Sequence, residues 1–274
     1  MFDKIPKNQS SDVRPALFAN QFYPGDSKIL KQNILRYLEK AETVPVDGKL
    51  KALISPHAGY IYSGYTAAYS YKLLKNLDKD TEWKILLLGP SHQVSYSGAA
   101  VSEQTGWQTP LGMVKVKDIR EEIGEKDDIV DIPEANMHEH SLEVQVPFLQ
   151  SVLKKFVLYP LVLGSIRPDF LADDLLDFCR EDDVIVLVSS DLSHYLRYEE
   201  AKKIDLATSE AICGLDIEKM TERGDACGRM GILTAMFIAN KLGWKCKMLN
   251  YTNSGDTAGD KNRVVGYGAY AFYL

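Results

Sequence analysis

The residues best suited to chemistry in this chain are its histidines, which number only five. Three of them follow short apolar runs that are typical of buried strands: His57 after KALISP, His92 after KILLLGPS and His194 after VIVLVSSDLS. In a parallel sheet such positions meet at the carboxyl ends of the strands, where open α/β proteins bind their ligands. We therefore expect these three imidazoles to face one crevice.

Converging histidines predict a metal site, because neutral imidazole is the commonest protein ligand of transition metals. His138 and His140 lie in the long connection 126–140, just before a predicted helix, and a loop there can reach the same rim. Any single histidine has the alternative of a hydrogen-bonded loop or core residue. Two or three of them with one anionic ligand are a usual set for Fe, Zn or Cu.

Cys227 is the sequence's best candidate for the anionic ligand. It lies near a predicted helix start, with Asp225 as a possible N-cap, and both the helix N-terminus and Arg229 favour a thiolate. The alternative is a small buried cysteine that packs this helix against the sheet. A carboxylate could serve instead of the thiolate, the candidates being Glu139, Glu143 and Asp191.

His194 is a plausible general base, because Asp191 lies three residues before it and can orient it or pair with its charge. The alternative is that Asp191 caps the following helix while His194 is solvated. Tyr60 and Tyr62 lie three and five residues after His57 and are candidates for the crevice wall, although packing explains most tyrosines of this region.

Alternating strand and helix patterns place these residues in one α/β fold, a layered α/β/α arrangement around a mostly parallel or mixed sheet. Strands are predicted at Lys51–Ser55, Lys84–Leu88, Val157–Leu163 and Val184–Ser189, with a C-terminal pair at Trp244–Thr252 and Val264–Tyr273 near one edge. Helices are predicted at Ser27–Lys40, Thr66–Leu77, Ser141–Lys154, Pro168–Cys179 and Glu199–Cys213. Residues 1–274 are expected to form one domain.

Composition excludes several classes of function. Lys and Arg number 32 and Asp and Glu 38, for a net charge of −6, and no basic stripe indicates a nucleic-acid partner. The N-terminal residues carry charges where a signal peptide needs an apolar stretch, and the apolar runs are too short to cross a bilayer. Four cysteines without a paired C-x-x-C spacing argue against a zinc finger. We expect a soluble cytoplasmic protein.

Five ordered motifs resemble those of the Memo family, whose bacterial and archaeal members are often called AmmeMemoRadiSam system protein B. They are SPHAGYIYSG at 55–64, LLGPSH at 87–92, MHEHSLEVQVPFLQ at 137–150, SSDLSHY at 189–195 and DACGRMGI at 225–232. The resemblance runs over essentially the whole chain. It implies AMMECR1-like and radical SAM proteins as partners.

The resemblance also implies a fold similar to that of class III extradiol dioxygenases, which are non-haem Fe(II) enzymes. His57 and His92 match their histidine ligands, Cys227 matches the third ligand, where the dioxygenases have a carboxylate, and His194 matches the catalytic base. Thiolate is softer than carboxylate and shifts preference toward Cu(I) or Zn while still accommodating Fe(II).

From these residues we predict a metal-dependent oxidoreductase with Fe(II) or Cu at His57, His92 and Cys227. His194 would move a proton and Asp191 would tune it, while Tyr60 and His140 would contact a small-molecule or peptide ligand. His140 could instead donate a hydrogen bond to a metal ligand. Two alternatives remain open. One is a metal- or peptide-binding module without catalysis, and the other is a zinc hydrolase.

Overall fold

Four apolar runs of the sequence form the middle of one sheet in the computed structural model, which describes residues 12–274. They are β2 (Leu50–Ser55), β3 (Trp83–Pro90), β8 (Phe156–Leu163) and β9 (Val184–Ser189). These strands are parallel and lie in the order β2-β9-β3-β8. Their residues are apolar without alternation because both faces of the sheet are covered.

Further strands extend the sheet at both sides. They are β4 (Ala99–Val101), β7 (Ile129–Val130), β10 (His194–Leu196), β11 (Lys245–Asn253) and β12 (Val264–Tyr273). On one side β12 pairs antiparallel with β2, and both β10 and β11 pair with β12. On the other side β4 pairs antiparallel with β8, and β7 pairs with β4. A separate three-stranded sheet contains β1 (Val13–Arg14), β5 (Gly106–Thr109) and β6 (Gly112–Lys115).

Helices cover both faces of the main sheet. They are α1 (Ser27–Lys40), α2 (Tyr60–Leu74), α3 (Arg120–Ile123), α4 (Pro133–Met137), α5 (Val146–Val152), α6 (Pro168–Arg180), α7 (Tyr198–Cys213), α8 (Ile217–Arg223), α9 (Arg229–Leu242) and α10 (Ser254–Thr257). One hydrophobic cluster joins α1, α2 and α5 to one face, and a second joins α6, α7, α8 and α9 to the other. The predicted α/β/α fold with a mixed sheet is confirmed.

The predicted elements differ from the observed ones mainly where apolar periodicity is weak. Helix α2 begins at Tyr60 rather than Thr66, because it is buried on nearly all sides and has no polar face to mark its start. The predicted helix 141–154 is a 3-10 turn, Glu143–Gln145, followed by α5, whose first turn contains Pro147. The connection 126–140 is not wholly irregular, since it holds β7 and α4.

The sequence argues against both a membrane-spanning helix and a signal peptide, and the structure bears only on the first of these predictions. In the part that the structure describes, every helix is too short or too polar to cross a membrane. The charged residues 1–11, on which the argument against a signal peptide depends, lie outside the described residues.

Candidate metal centre

Three imidazoles meet at the carboxyl ends of the central strands. His57 follows β2 and His92 follows β3, while His140 comes from the loop before the 3-10 turn. Their ring centroids are 5.3 Å (His57 to His92), 5.4 Å (His57 to His140) and 4.9 Å (His92 to His140) apart. One nitrogen from each ring lies within 4.8 Å of the others, so the three can share one metal ion.

Hydrogen bonds prepare His57 as a ligand. Its Nδ1 lies 3.0 Å from the Ser189 hydroxyl, which itself donates to the Ser141 carbonyl at 2.5 Å. Because that proton is used, Ser189 accepts from Nδ1–H, and Nε2 keeps its lone pair. Burial, with the neighbouring His92 adding to it, lowers the pKa of His57 to about 3. The ring is therefore neutral, which is the form that binds metal.

Glu139 fixes the orientation and the Nδ1 proton of His92 by hydrogen bonds. Its carboxylate accepts from the main-chain N–H and from Nδ1 of His92, at 2.6 and 2.9 Å, and from the main-chain N–H of Ser141 at 2.8 Å. Burial alone would raise the pKa of Glu139, but these hydrogen bonds and the electrostatic interaction with the His92 ring outweigh it and hold the pKa at about 2. A carboxylate on Nδ1 leaves Nε2 of His92 available to a metal.

His140 is fixed by aromatic contacts as well as by charge. Its ring stacks on Phe22 with centroids 4.3 Å apart, and its Nδ1 lies 3.4 Å from a Glu139 oxygen. Burial, and then the nearby His57, lower the pKa of His140 to about 4. The sequence predicted that His140 reaches the rim of the same site and contacts substrate, and its ring lies within the histidine cluster itself.

Cys227 lies beside this cluster. Its Sγ is 3.2 Å from Nε2 of His57 and also accepts from the main-chain N–H of Asp191 at 3.2 Å. Asp191 in turn accepts from the main-chain N–H of His57 at 2.8 Å. The sulfur thus faces the nitrogen of His57 that its hydrogen bonds leave free.

Two cavities meet at His92. The larger, of about 660 Å³, is lined by His57, His92, His140, Asp191, His194, Tyr62 and Tyr267 among others. The smaller, of about 370 Å³, is lined by His92, Cys227, Gly228 and the loop that follows β3. His194 therefore lines the same cavity as His57 and His92, which is what the convergence of the strand ends predicted. It does not belong to the group of three imidazoles.

Comparison with known proteins supports a family assignment over this whole region. A family model described as Memo-like protein matches residues 14–271. The chain is 36% identical to a MEMO1 family protein of Archaeoglobus fulgidus and 34% identical to one of Nitrosopumilus maritimus, each over 95% of this chain and 99% of the relative. A MEMO1 family protein of Aquifex aeolicus is 34% identical over 93% of this chain and 97% of the relative.

The chain belongs to the Memo family. The resemblance drawn from the five sequence motifs is confirmed. The roles that it implies for single residues depend on the geometry around each of them.

In this Memo-family chain the surroundings of Cys227 differ from the prediction. The thiol is partly buried, and this burial together with the Asp191 charge raises its pKa to about 12. Helix α9 begins two residues later, at Arg229, and its N-cap is Gly228 rather than Asp225. Arg229 itself is exposed to solvent. Without a metal the protein therefore favours the thiol over the predicted thiolate, and a bound cation is what would deprotonate it.

The structure corrects the expected position of Tyr60. Its ring is buried against Phe148, and its hydroxyl donates to the Val144 carbonyl at 2.7 Å, so it belongs to the hydrophobic core. Tyr62, two residues further along α2, lines the cavity in its place. His138, which could have joined the same site, is exposed and lies outside the cluster.

The carboxylates considered as alternative ligands have other partners. Glu143 forms a buried ion pair with Arg14 and accepts from the Phe18 main-chain N–H at 2.8 Å and the Tyr23 hydroxyl at 2.6 Å. Glu139 accepts two hydrogen bonds from His92. Asp191 lies in the cavity wall, and burial raises its pKa to about 6 against the hydrogen bond from His57. Asp191 caps no helix, since α7 begins at Tyr198 with Arg197 as its N-cap.

Proposed function

We propose that this protein binds Fe(II) or Cu at His57 and His92 and acts as a metal-dependent oxidoreductase. The observation that carries the proposal is the group of imidazoles with nitrogens within 4.8 Å of one another, open to a cavity of about 660 Å³. Imidazole nitrogens beside a sulfur suit first-row transition metals, while Mg²⁺ and Ca²⁺ prefer oxygen ligands. The donor set thus fits the metals that the family resemblance implies.

Two residues, His140 and Cys227, are candidates for the third metal ligand. His140 lies within the group of three, and Cys227 lies 3.2 Å from Nε2 of His57. We propose Cys227 as the anionic third ligand, with His140 as a fourth donor or as a contact for the substrate. Zn is the third metal that such a set can hold.

The remaining cavity residues supply the rest of the reaction. A bound redox metal would provide electron exchange with the substrate or with O₂. His194, on the cavity wall, accepts or delivers a proton, and Asp191 of the same wall orients it. Phe22, Tyr62 and Tyr267 line the same cavity and would exclude water from a small-molecule or peptide ligand. Association with AMMECR1-like and radical SAM proteins remains part of this proposal.

Anaerobic titration of the chelator-treated protein with Fe(II), Cu(I) and Zn(II) tests the ligand set. We expect one ion per chain, bound more weakly by at least roughly 10-fold in Cys227→Ser and in His140→Ala, since even losing an outer partner costs that much. The matched controls are Cys213→Ser, a half-buried cysteine elsewhere, and His138→Ala, an exposed histidine two residues from His140. Both controls should bind like the parent.

The outcomes separate the alternatives. Unchanged affinity in Cys227→Ser removes the cysteine from the ligand set, and unchanged affinity in His140→Ala removes His140. Tight binding of Zn alone with hydrolysis and no metal-dependent O₂ consumption would replace the oxidoreductase with a zinc hydrolase. Binding without any turnover would leave a recognition module, and absence of binding in the parent overturns the proposal.

A further inference from the structure

A second pair of reactive side chains lies on the face of the sheet covered by α7, outside the histidine site. Cys213 is the last residue of α7, and Cys246 is the second residue of β11. Their sulfur atoms are 3.9 Å apart, with the Cys246 thiol directed toward the Cys213 sulfur. Each cysteine is only partly buried. Two thiols at this distance on different elements form a pair that the mechanism proposed above does not use.

The pair is reachable from solvent. A surface cavity of about 460 Å³ is lined by both cysteines together with Glu210, Lys247 and Met248. A cavity of this size can admit a small disulfide molecule. By contrast, Cys179 is completely buried among the apolar side chains of α6 and has no such access.

We propose that Cys213 and Cys246 form a reversible disulfide by exchange with a low-molecular-weight disulfide. The Cys213 sulfur attacks one sulfur of the small disulfide, whose S–S bond breaks and releases one thiolate. The Cys246 thiol then loses its proton, and its sulfur attacks Cys213, releasing the second small thiol. The two cysteines are oxidised and the small disulfide is reduced to two thiols, so electrons and atoms balance.

The geometry supports closure of this bond. A disulfide needs its sulfurs about 2.05 Å apart, so these two must approach by roughly 2 Å, which rotation about the Cα–Cβ bonds can supply. Hydrogen bonding and burial also favour Cys213 as the attacking group. The hydrogen bond from Cys246 lowers the pKa of Cys213, whereas burial raises the pKa of Cys246 well above its ordinary value.

The disulfide would join two elements that already meet at a buried carboxylate. Asp205 of α7 accepts from the Tyr251 hydroxyl of β11 at 2.8 Å and from the main-chain N–H of Ser193 at 2.9 Å. Ser193 precedes His194 in the cavity wall. The disulfide would therefore hold α7 and β11 together where they bind the Ser193 loop, without contacting the candidate metal ligands.

The test is treatment of the reduced, chelator-treated protein with oxidised glutathione, followed by denaturing alkylation, mass measurement and peptide mapping. We expect the parent to lose two of its four alkylatable thiols, to keep no glutathione and to yield a peptide that links Cys213 to Cys246. Dithiothreitol should restore all four thiols. The parent alone decides this part, so a variant that fails to fold does not affect it.

Variants define the order of attack. Cys246→Ser should retain one glutathione on Cys213, and Cys213→Ser should react at least roughly 10-fold more slowly, because its remaining thiol has the higher pKa. Cys179→Ser, the matched control, should behave like the parent. Four free thiols in the treated parent, or a linked peptide that contains Cys227 instead, would overturn the proposal.

Discussion

The tautomers of His57 and His92 are set by neighbours that lie far away in the sequence. Ser189 fixes the Nδ1 proton of His57, and Glu139 fixes that of His92. Each contact leaves Nε2 free toward the space between the rings. A metal bound here would therefore meet both histidines already in the required tautomer, with their orientation set by the protein rather than by the ion.

His194 differs from these two because no hydrogen bond to Ser189 or Glu139 fixes it, and it lies on the cavity wall rather than in the cluster. We expect His194→Ala to keep the metal stoichiometry of the parent and to lose metal-dependent turnover by roughly 10²- to 10⁴-fold, the usual effect of losing a general base. Metal analysis and O₂ consumption on the same preparations measure the two quantities.

His138→Ala is the control for this histidine substitution, because His138 is exposed and outside the cluster. It should retain both metal and turnover. Loss of bound metal in His194→Ala would instead make His194 a ligand, and full turnover in that variant would remove its role as the base.

At the scale of elements, the sequence predicted what depends on continuous apolar runs and on clear helical periodicity. Strand β9 and helix α1 have the predicted bounds, and the histidines after β2 and β3 meet as expected. The prediction could not place His140 in the histidine cluster itself, because its position depends on stacking against Phe22, which is distant in the chain. It also could not foresee that burial raises the pKa of the Cys227 thiol in the metal-free protein, since burial is a property of the assembled fold.

Helix α9 approaches the sheet closely at its start, and Gly228 makes that approach possible. A Cβ at this position would lie 2.7 Å from the Ser189 carbonyl oxygen and 2.7 Å from Cβ of Ser190. We expect Gly228→Ala to lower the free energy of unfolding by about 1–3 kcal/mol, because backbone must shift to admit the methyl group. It should also weaken metal binding, since the displaced loop carries Cys227.

Gly59→Ala is the matched control for an added methyl group beside a candidate ligand loop. There the nearest atoms would lie 3.6 Å from the new Cβ, which is ordinary contact. Urea unfolding of the metal-free proteins and metal titration give the two readouts. Unchanged stability of Gly228→Ala would show that the loop accommodates the group, and lowered stability with intact metal affinity would count against Cys227 as a ligand.

The whole molecule brings the site together from both ends of the chain. The buried Arg14–Glu143 ion pair, whose side chains are only 4% and 1% exposed, ties the N-terminal segment to the loop before α5. That segment places Phe18 and Phe22 against His140. Tyr267 of β12 closes the cavity from the opposite end of the sequence. No local pattern could have predicted such a combination.

Buried ionisable groups at the site make the stability of the metal-free protein depend on pH. The pKa values of His57 and His140 are lowered to about 3 and about 4, so below their ordinary value of about 6.5 the unfolded chain binds protons that the native protein does not. Both groups therefore reduce stability as the pH falls. Asp191 acts in the opposite direction. Its pKa is raised to about 6, so as the pH falls the native protein binds this proton before the unfolded chain does, which increases stability.

Two histidines against one aspartate leave a net loss of stability on acidification from pH 7 to 5. We expect the free energy of unfolding, measured by urea titration with a chelator present, to fall with a slope approaching about 1.4 kcal/mol per pH unit for the one uncompensated proton. His140→Gln removes one of the two histidines and should flatten this dependence, whereas His138→Gln should leave it unchanged. A pH-independent parent, or equal slopes in the two variants, would contradict a neutral, buried His140 and with it the preformed imidazole cluster.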